Sequence, residues 1–196
     1  MARLQALAER DATFAPMLDK ARRYMARPRA DASCTGVAGT WELTSGDARL
    51  EAVVPGPDGA ESSLRVTGRV DPGDPCSILW LRLFLDAPRY ASELRLRLRP
   101  SIPGPVRLLA VDADGTSVCS SAAETRLQAD QWQTVSIEPA GTKNGGPGDY
   151  LLDEVTDVML QIVPTDLGDA LDEPTTYVLD VASVSLTGDG PVMLLG

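Results

Sequence analysis

Leucine and arginine alternate without interruption through one segment, and this alternation constrains the fold more than any other feature of the sequence. The leucines are Leu94, Leu96 and Leu98, and the arginines are Arg95, Arg97 and Arg99. Successive side chains of a β-strand point to opposite faces, so a strand here has one apolar and one basic face. The segment predicts a half-buried strand whose arginines meet water or a ligand.

Other short segments have the same two-residue period and are separated by turn sequences rich in glycine and proline, such as Pro55 to Gly59. The candidate strands are Thr40 to Thr44, Arg49 to Val54, Ser63 to Val70, Ser77 to Leu85, Glu93 to Arg99, Val106 to Val111, Trp132 to Ile137, Asp157 to Val163 and Thr176 to Leu186. No helical period lies between them, which favours a sandwich over a parallel α/β sheet. The predicted fold class is mainly β: an antiparallel β-sandwich (jelly roll) with an N-terminal helical arm.

The arm is predicted from apolar residues at helical spacing between Leu4 and Met25, among them Leu7, Phe14 and Leu18. Because proline is tolerated best in a first helical turn, Pro16 predicts a break near Thr13 and a second helix that ends before Pro28. The apolar stripe needs a surface to cover, so Leu4, Leu7, Phe14 and Leu18 are candidate docking residues. That surface is either the chain's own sandwich or a partner.

These patterns divide the chain into four parts. We expect a helical arm at 1–27, a linker at 28–39, a jelly-roll sandwich at 40–187 and a C-terminal tail at 188–196. The linker assignment depends on its small and charged residues and its lack of a sustained period.

Charge and apolar patterning limit partners and location. The net charge of -10 predicts repulsion from nucleic acid. No segment has the ~20 apolar residues of a membrane span, and Glu9, Asp11 and Asp19 interrupt any secretory signal. We therefore expect either an intracellular protein or a mature or excised piece of an extracellular one, with no membrane insertion.

The reactive residue types argue against an enzyme. The chain has no histidine, which removes the usual triads and the commonest general base at neutral pH. The odd count of cysteines, Cys34, Cys76 and Cys119, does not suit a disulfide framework. Asp112 and Asp114 lack the other ligands of a calcium loop and predict a hairpin turn.

Several strand sequences, taken in order, resemble a known family. The segments are Trp41 to Leu43, Ser63 to Gly68, Asp112 to Gly115, Gln131 to Ile137 and Tyr177 to Val184. Together they resemble the galactose-binding-like jelly roll of non-catalytic carbohydrate-binding modules, over about Thr40 to Leu186. The resemblance implies a sugar site on a concave sheet face or in the loops at one end.

The resemblance also implies a structural calcium ion held by a carboxylate in the last strand. Asp180 matches that position, and Glu42 is a plausible second ligand. The alternative is that Asp180 caps a strand end or pairs with an arginine.

Strand alternation gives a candidate ligand face. In Ser77 to Leu85 the leucines at odd positions share one side, and Trp80 and Arg82 share the other. We expect Trp80 and Arg82 to lie outward beside Arg95 and Arg97, and these four to bind a glycan by stacking and hydrogen bonding. Arginine favours acidic glycans; the alternative is that Trp80 packs against the arm or a partner.

Two functions remain in competition. The first is a non-catalytic glycan-binding module, anchored to a larger assembly or enzyme through its N-terminal helix and recognising a polysaccharide or cell-surface glycan. The second is a structural, decoration or spike subunit of a virion-like particle, oligomeric or docked by the arm, that uses the jelly roll for assembly or attachment to a host surface.

Overall fold

The computed structural model describes residues 2–25, 27, 29–44, 48–53, 62–74, 78–89, 91, 93–112, 117–119, 125–137, 155–167 and 171–188. The N-terminal arm consists of helix α1 (Ala2–Arg10), a 3-10 turn (Ala12–Phe14) and helix α2 (Ala15–Met25). Asp11 ends the first helix by capping the 3-10 turn: its carboxylate accepts a hydrogen bond from the Thr13 amide at 2.9 Å. The predicted break near Thr13 is therefore confirmed, with Pro16 in the first turn of α2.

The rest of the described chain is almost entirely strand. The strands are β1 (Arg29–Asp31), β2 (Gly39–Leu43), β3 (Arg49–Val53), β4 (Ser63–Val70), β5 (Leu79–Arg89), β6 (Glu93–Pro100), β7 (Gly104–Pro105), β8 (Arg107–Val111), β9 (Ser117–Cys119), β10 (Arg126–Leu127), β11 (Gln133–Ile137), β12 (Val155–Ile162) and β13 (Thr175–Thr187), with a short helix α3 (Pro164–Leu167). They form a six-stranded sheet of order β1-β2-β5-β12-β8-β9, a five-stranded sheet of order β11-β6-β13-β4-β3 and a small β10-β7 ladder. Every described strand pair is antiparallel, so the predicted antiparallel sandwich is confirmed.

The two large sheets pack face to face around one hydrophobic core. Leu81 and Leu83 of β5 and Leu96 and Leu98 of β6 are at most 1% exposed, and burying each leucine contributes about 2 kcal/mol. The sheets approach closely at Gly68, where an added Cβ would lie 2.6 Å from Leu79 Cδ1. The outer faces of the two sheets therefore lie on opposite sides of the sandwich.

Residues 28–39, expected to be a linker, contain β1 and a 3-10 turn (Ala32–Thr35). The turn is held by side chains: Thr35 Oγ1 donates to the Ala32 carbonyl at 2.8 Å and accepts from Trp41 Nε1 at 3.1 Å. Such bonds produce ordered structure without any hydrophobic period. Trp41 is fully buried.

Some expectations fall on parts of the chain that the structure does not describe. Asp114, Cys76, the tail from 189 onward and the side chain of Cys119 lie outside the described residues. No helix in the described ranges is long and apolar enough to span a membrane.

Candidate functional site

Strand β5 has the alternation that the sequence predicts. Leu79, Leu81 and Leu83 are at most 2% exposed, whereas Trp80 and Arg82 are half-buried on the outer face of the six-stranded sheet. Cross-strand pairing places Gln161 of β12 beside Trp80. Trp80 and Arg82 are thus outward, as expected.

Arg82 is engaged by neighbours on its own face. Its Nη2 lies 2.9 Å from Asp157 Oδ2 and its Nε 3.2 Å from Oδ1, in a bidentate salt bridge. The guanidinium also lies 4.4 Å from the centroid of the Phe84 ring. Arg82 therefore ties β5 to β12 and is already in charge-assisted hydrogen bonds.

The prediction that Trp80 and Arg82 lie beside Arg95 and Arg97 is wrong. The arginines are on β6, which belongs to the five-stranded sheet, and β5 belongs to the six-stranded one. Alternation fixes the side of a strand on which a residue lies, but it does not assign the strand to a sheet. The chain changes sheets between β5 and β6, so the four residues lie on opposite faces of the sandwich.

The outer face of the five-stranded sheet, called the basic face below, concentrates positive charge. Strand alternation and register bring together the outward residues Arg49, Glu51, Arg65, Arg69, Glu93, Arg95, Arg97, Arg99 and Asp180. These six arginines and three carboxylates give this face a net charge of +3, in a chain whose net charge is -10. Charge is therefore segregated on the molecule.

Asp180 is the buried centre of the basic face. It is 2% exposed and accepts hydrogen bonds from two arginines: Arg65 Nε at 2.7 Å and Nη2 at 3.0 Å, and Arg99 Nη2 at 2.6 Å and Nε at 3.1 Å. Burial acts to raise the pKa of Asp180, but the hydrogen bonds from Arg65 and Arg99 outweigh it, so that pKa lies below its usual value. Of the expectations for Asp180, pairing with arginine is therefore the one that the structure shows.

Glu42 occupies a comparable position in the other sheet. It is 1% exposed, with Arg27 Nη1 2.7 Å from Oε1 and Arg29 Nη2 2.9 Å from Oε2. Glu42 and Asp180 are thus in different sheets and each is neutralised by arginines, so they do not fit one calcium site. Within the described residues no three acidic or cysteine side chains group as metal ligands, and calcium binding by the chain stays a prediction.

Trp132 adds an aromatic ring beside the basic face. It directly precedes β11, the neighbour of β6, and the Arg99 guanidinium lies 4.9 Å from the centroid of its ring. Arg99 is therefore held between a carboxylate and an aromatic ring, a contact of about 0.5–1 kcal/mol at a partly exposed site. From the sequence, Trp132 is placed only within the strand segment Gln131 to Ile137 and has no predicted ligand role, because the pairing of β11 with β6 is visible only in the structure.

A pocket of about 320 Å³ opens beside this cluster. Its lining includes Arg65, Arg99, Ser101, Asp130 and Asp180. Asp130 has a left-handed backbone conformation, with φ 57°, and its amide donates to the Pro100 carbonyl at 2.8 Å. Non-glycine residues with positive φ are uncommon and often occur at functional sites.

The four candidate docking residues of the arm differ in exposure. Leu18 is 7% exposed, Phe14 is half-buried and Leu7 is 38% exposed; Leu4 lies in α1, and its side chain is outside the described part of the chain. Leu18 is not a member of the sandwich core. The two helices and the turn between them pack on one another, and whether the arm docks on a partner stays a prediction.

No protein-family model and no curated protein sequence matches the chain. Among solved structures, the chain is similar to an exo-beta-agarase, with 10% identity and a TM-score of 0.49 over 76% of this chain and 24% of the agarase. It is also similar to the family 11 carbohydrate-binding module of a cellulosomal cellulase of Clostridium thermocellum, with 12% identity and a TM-score of 0.45 over 76% of this chain and 88% of the module.

A third similar structure is a mutant of a family 29 carbohydrate-binding module, with 10% identity and a TM-score of 0.42 over 75% of this chain and 82% of the module. The chain thus spans about a quarter of the agarase and most of each module. Identities of 10–12% do not allow binding residues to be transferred from these structures to this chain.

Proposed function

We propose that this chain is a non-catalytic glycan-binding module that binds acidic polysaccharide on its basic face. The observation that carries the proposal is the arrangement of side chains around β6. Arg97 lies between Thr134 of β11 and Ser183 of β13, and Arg95 lies between Ser136 and Ser185. Each arginine is flanked on both sides by exposed short hydroxyl side chains.

This arrangement suits an anionic sugar chain. Guanidinium groups bind carboxylates or sulfates in a planar, bidentate geometry, and serine and threonine hydroxyls both donate to and accept from sugar hydroxyls. The short flanking side chains leave the arginines accessible from above the sheet. Trp132 supplies an aromatic surface at the edge of the same face.

The buried carboxylates support a binding role over a catalytic one. Glu42, Asp157 and Asp180 are the buried acidic residues of the described chain, and each forms a salt bridge with arginine. A general acid needs a carboxyl group whose pKa is raised, whereas the hydrogen bonds from Arg65 and Arg99 hold the pKa of Asp180 below its usual value despite its burial. The absence of histidine points the same way.

The arm gives this module a means of attachment to a larger assembly or enzyme. Leu7 is 38% exposed and Met17 is 57% exposed, so apolar surface of the arm faces outward. Burying it against a partner is favourable by about 25 cal/mol per Å² of apolar area. The same surface would serve a subunit of a virion-like particle, in which the sandwich projects outward.

Binding to polysaccharides tests the proposal. We expect polygalacturonate and alginate to bind more tightly than dextran and cellulose, and the binding to weaken as salt is added, because the contacts are charged. Replacing both Arg95 and Arg97 by Gln should weaken binding to polygalacturonate at least about tenfold. The control is Arg126→Gln, which removes an exposed arginine of β10 outside the basic face.

Affinity electrophoresis in gels that contain each polysaccharide measures this order directly. Equal retardation by dextran and polygalacturonate, or no retardation by either, would refute an acidic-glycan module. Equal weakening by the Arg126→Gln control would mean that the binding does not depend on the position of the arginines on the basic face.

A further inference from the structure

The pocket beside Asp180 contains groups of both charges. Its lining includes the two arginines Arg65 and Arg99 together with Ser101 and Asp130. The ionisable groups of the lining are two arginines, Arg65 and Arg99, and two aspartates, Asp130 and Asp180, so their net charge is zero. A ligand is therefore selected by the arrangement of these groups rather than by overall attraction.

The two guanidinium groups are fixed before any ligand arrives. Each uses its Nε and Nη2 groups on Asp180, and Arg99 also contacts the Trp132 ring at 4.9 Å. Arginine has more N–H donors than these bonds consume, because its Nη1 group is not involved in them. A ligand that meets both guanidiniums loses little further side-chain entropy, since both are already ordered.

Ser101 and Asp130 complete the pocket with groups that suit hydroxyls. Ser101 Oγ accepts a hydrogen bond from the Val178 amide at 2.9 Å, so its own proton is available for donation. The carboxylate of Asp130 has no hydrogen-bond partner within the described residues. The Asp130 backbone is held by the hydrogen bond that its amide donates to the Pro100 carbonyl at 2.8 Å. An ionised carboxylate accepts hydrogen bonds from ligand hydroxyls and repels a second anion.

We infer that this pocket binds one uronic acid residue, with its carboxylate on Arg65 and Arg99 and its hydroxyls on Ser101 and Asp130. The inference rests on the proposed function. It specifies the class of sugar that binds and adds the pocket residues to the glycan site on the basic face. A monoanion with several hydroxyl groups matches both kinds of group in the lining, the guanidiniums and the hydroxyl and carboxylate oxygens. Inorganic sulfate satisfies only the arginines and is repelled by Asp130.

The volume agrees with this ligand. Ligand pockets span roughly 300–1,000 Å³, and this one, at about 320 Å³, is at the small end of that range. It therefore suits a single sugar residue, such as the end or one unit of a polysaccharide, whose neighbouring units extend over Arg97 and Arg95.

The test is to titrate the whole chain with galacturonate, glucuronate, galactose and sodium sulfate, and to determine the affinity for each from NMR chemical-shift changes. Arg99→Lys keeps the positive charge beside Asp180 and Trp132 but removes the planar fork, and thermal unfolding checks that the fold is kept. We expect this variant to weaken galacturonate binding about tenfold. The matched control is Arg126→Lys, an exposed arginine of β10 outside both the basic face and the pocket lining, which should leave galacturonate binding within about twofold of the original.

Asp130→Asn provides an independent variant, because asparagine tolerates the left-handed backbone conformation. With the negative charge removed, the ratio of sulfate to galacturonate affinity should rise about threefold.

The outcomes separate this inference from the proposed function. If polygalacturonate binds but galacturonate does not, or if Arg99→Lys and Arg126→Lys weaken galacturonate binding equally, the pocket is not a uronate site, and the proposed binding of polysaccharide on the basic face is unaffected. If sulfate binds as tightly as galacturonate to the unmodified chain, the pocket is a simple anion site and the inference is wrong. If no acidic polysaccharide binds, the proposed function itself fails.

Discussion

Arginine partners explain how acidic side chains are buried in this small sandwich. Glu42, Asp157 and Asp180 are at most 6% exposed, and burying an ionised carboxylate without a partner costs several kcal/mol. Each instead accepts charge-assisted hydrogen bonds from arginine. The structural consequence is that removing one carboxylate also leaves cations without their partner.

The first prediction concerns Asp180→Asn. It should lower the free energy of unfolding by about 2 kcal/mol, less than for a fully buried pair because Arg65 and Arg99 are about one-third exposed, at 36% and 34%. The control is Glu93→Gln, whose ion pair with Arg95 is more exposed and whose loss should destabilise the fold far less. Urea unfolding measures both, and an equal loss in the two variants would contradict a central role for Asp180.

The pH dependence of this difference follows from the lowered pKa of Asp180. A carboxyl group whose pKa is lower in the folded state stabilises the protein fully above its ordinary pKa of 3.8. That stabilisation is lost as the pH falls from there through the lower folded-state pKa. The gap in unfolding free energy between the original chain and Asp180→Asn should therefore be constant near neutral pH and narrow below about pH 3.8.

At the level of elements, the long strands were predictable and their assignment to sheets was not. Strands such as β5 and β6 bury one face, so their side chains obey a two-residue period that the sequence displays. The short strands β1, β7, β9 and β10 hold two or three residues, too few to show any period. Pairing of Asp180 with Arg65 joins positions 115 residues apart, and no local pattern specifies such a contact.

The arm is the element whose role depends on packing outside the sandwich core. Leu18 is 7% exposed and its neighbour Met17 is 57% exposed. Leu18 therefore lies on the buried side of α2, and Met17 lies on its exposed side. An isolated arm of this length is marginally stable as a helix, and its stability depends on such apolar contacts.

We therefore predict that Leu18→Asp reduces the helical circular dichroism signal, because it places a charge at a buried position of α2. Met17→Asp should leave the signal unchanged, since that position faces outward. If Met17→Asp instead changes the oligomeric state in light scattering, the outward side is a docking surface, as the anchoring proposal requires. Equal loss of helix in both variants would contradict the assignment of Leu18 to the buried side.

At the level of the whole molecule, the two outer faces differ in what they offer a ligand. The six-stranded sheet presents Trp80 beside Gln161 and an Arg82 that is bound to Asp157. The basic face presents Trp132, a row of arginines flanked by hydroxyls, and a pocket. Because each face carries one half-buried tryptophan, a matched pair of substitutions can identify which face binds.

The central claim is tested most directly by the dissociation constants of polygalacturonate for Trp132→Ala and Trp80→Ala, measured by calorimetry on folded protein. We expect Trp132→Ala to weaken binding about tenfold, since it removes both a stacking surface and the support of Arg99. Trp80→Ala should bind as tightly as the original chain, because Trp80 lies on the opposite side of the sandwich. If Trp80→Ala abolishes binding and Trp132→Ala does not, the glycan site is on the six-stranded sheet and the assignment to the basic face is wrong.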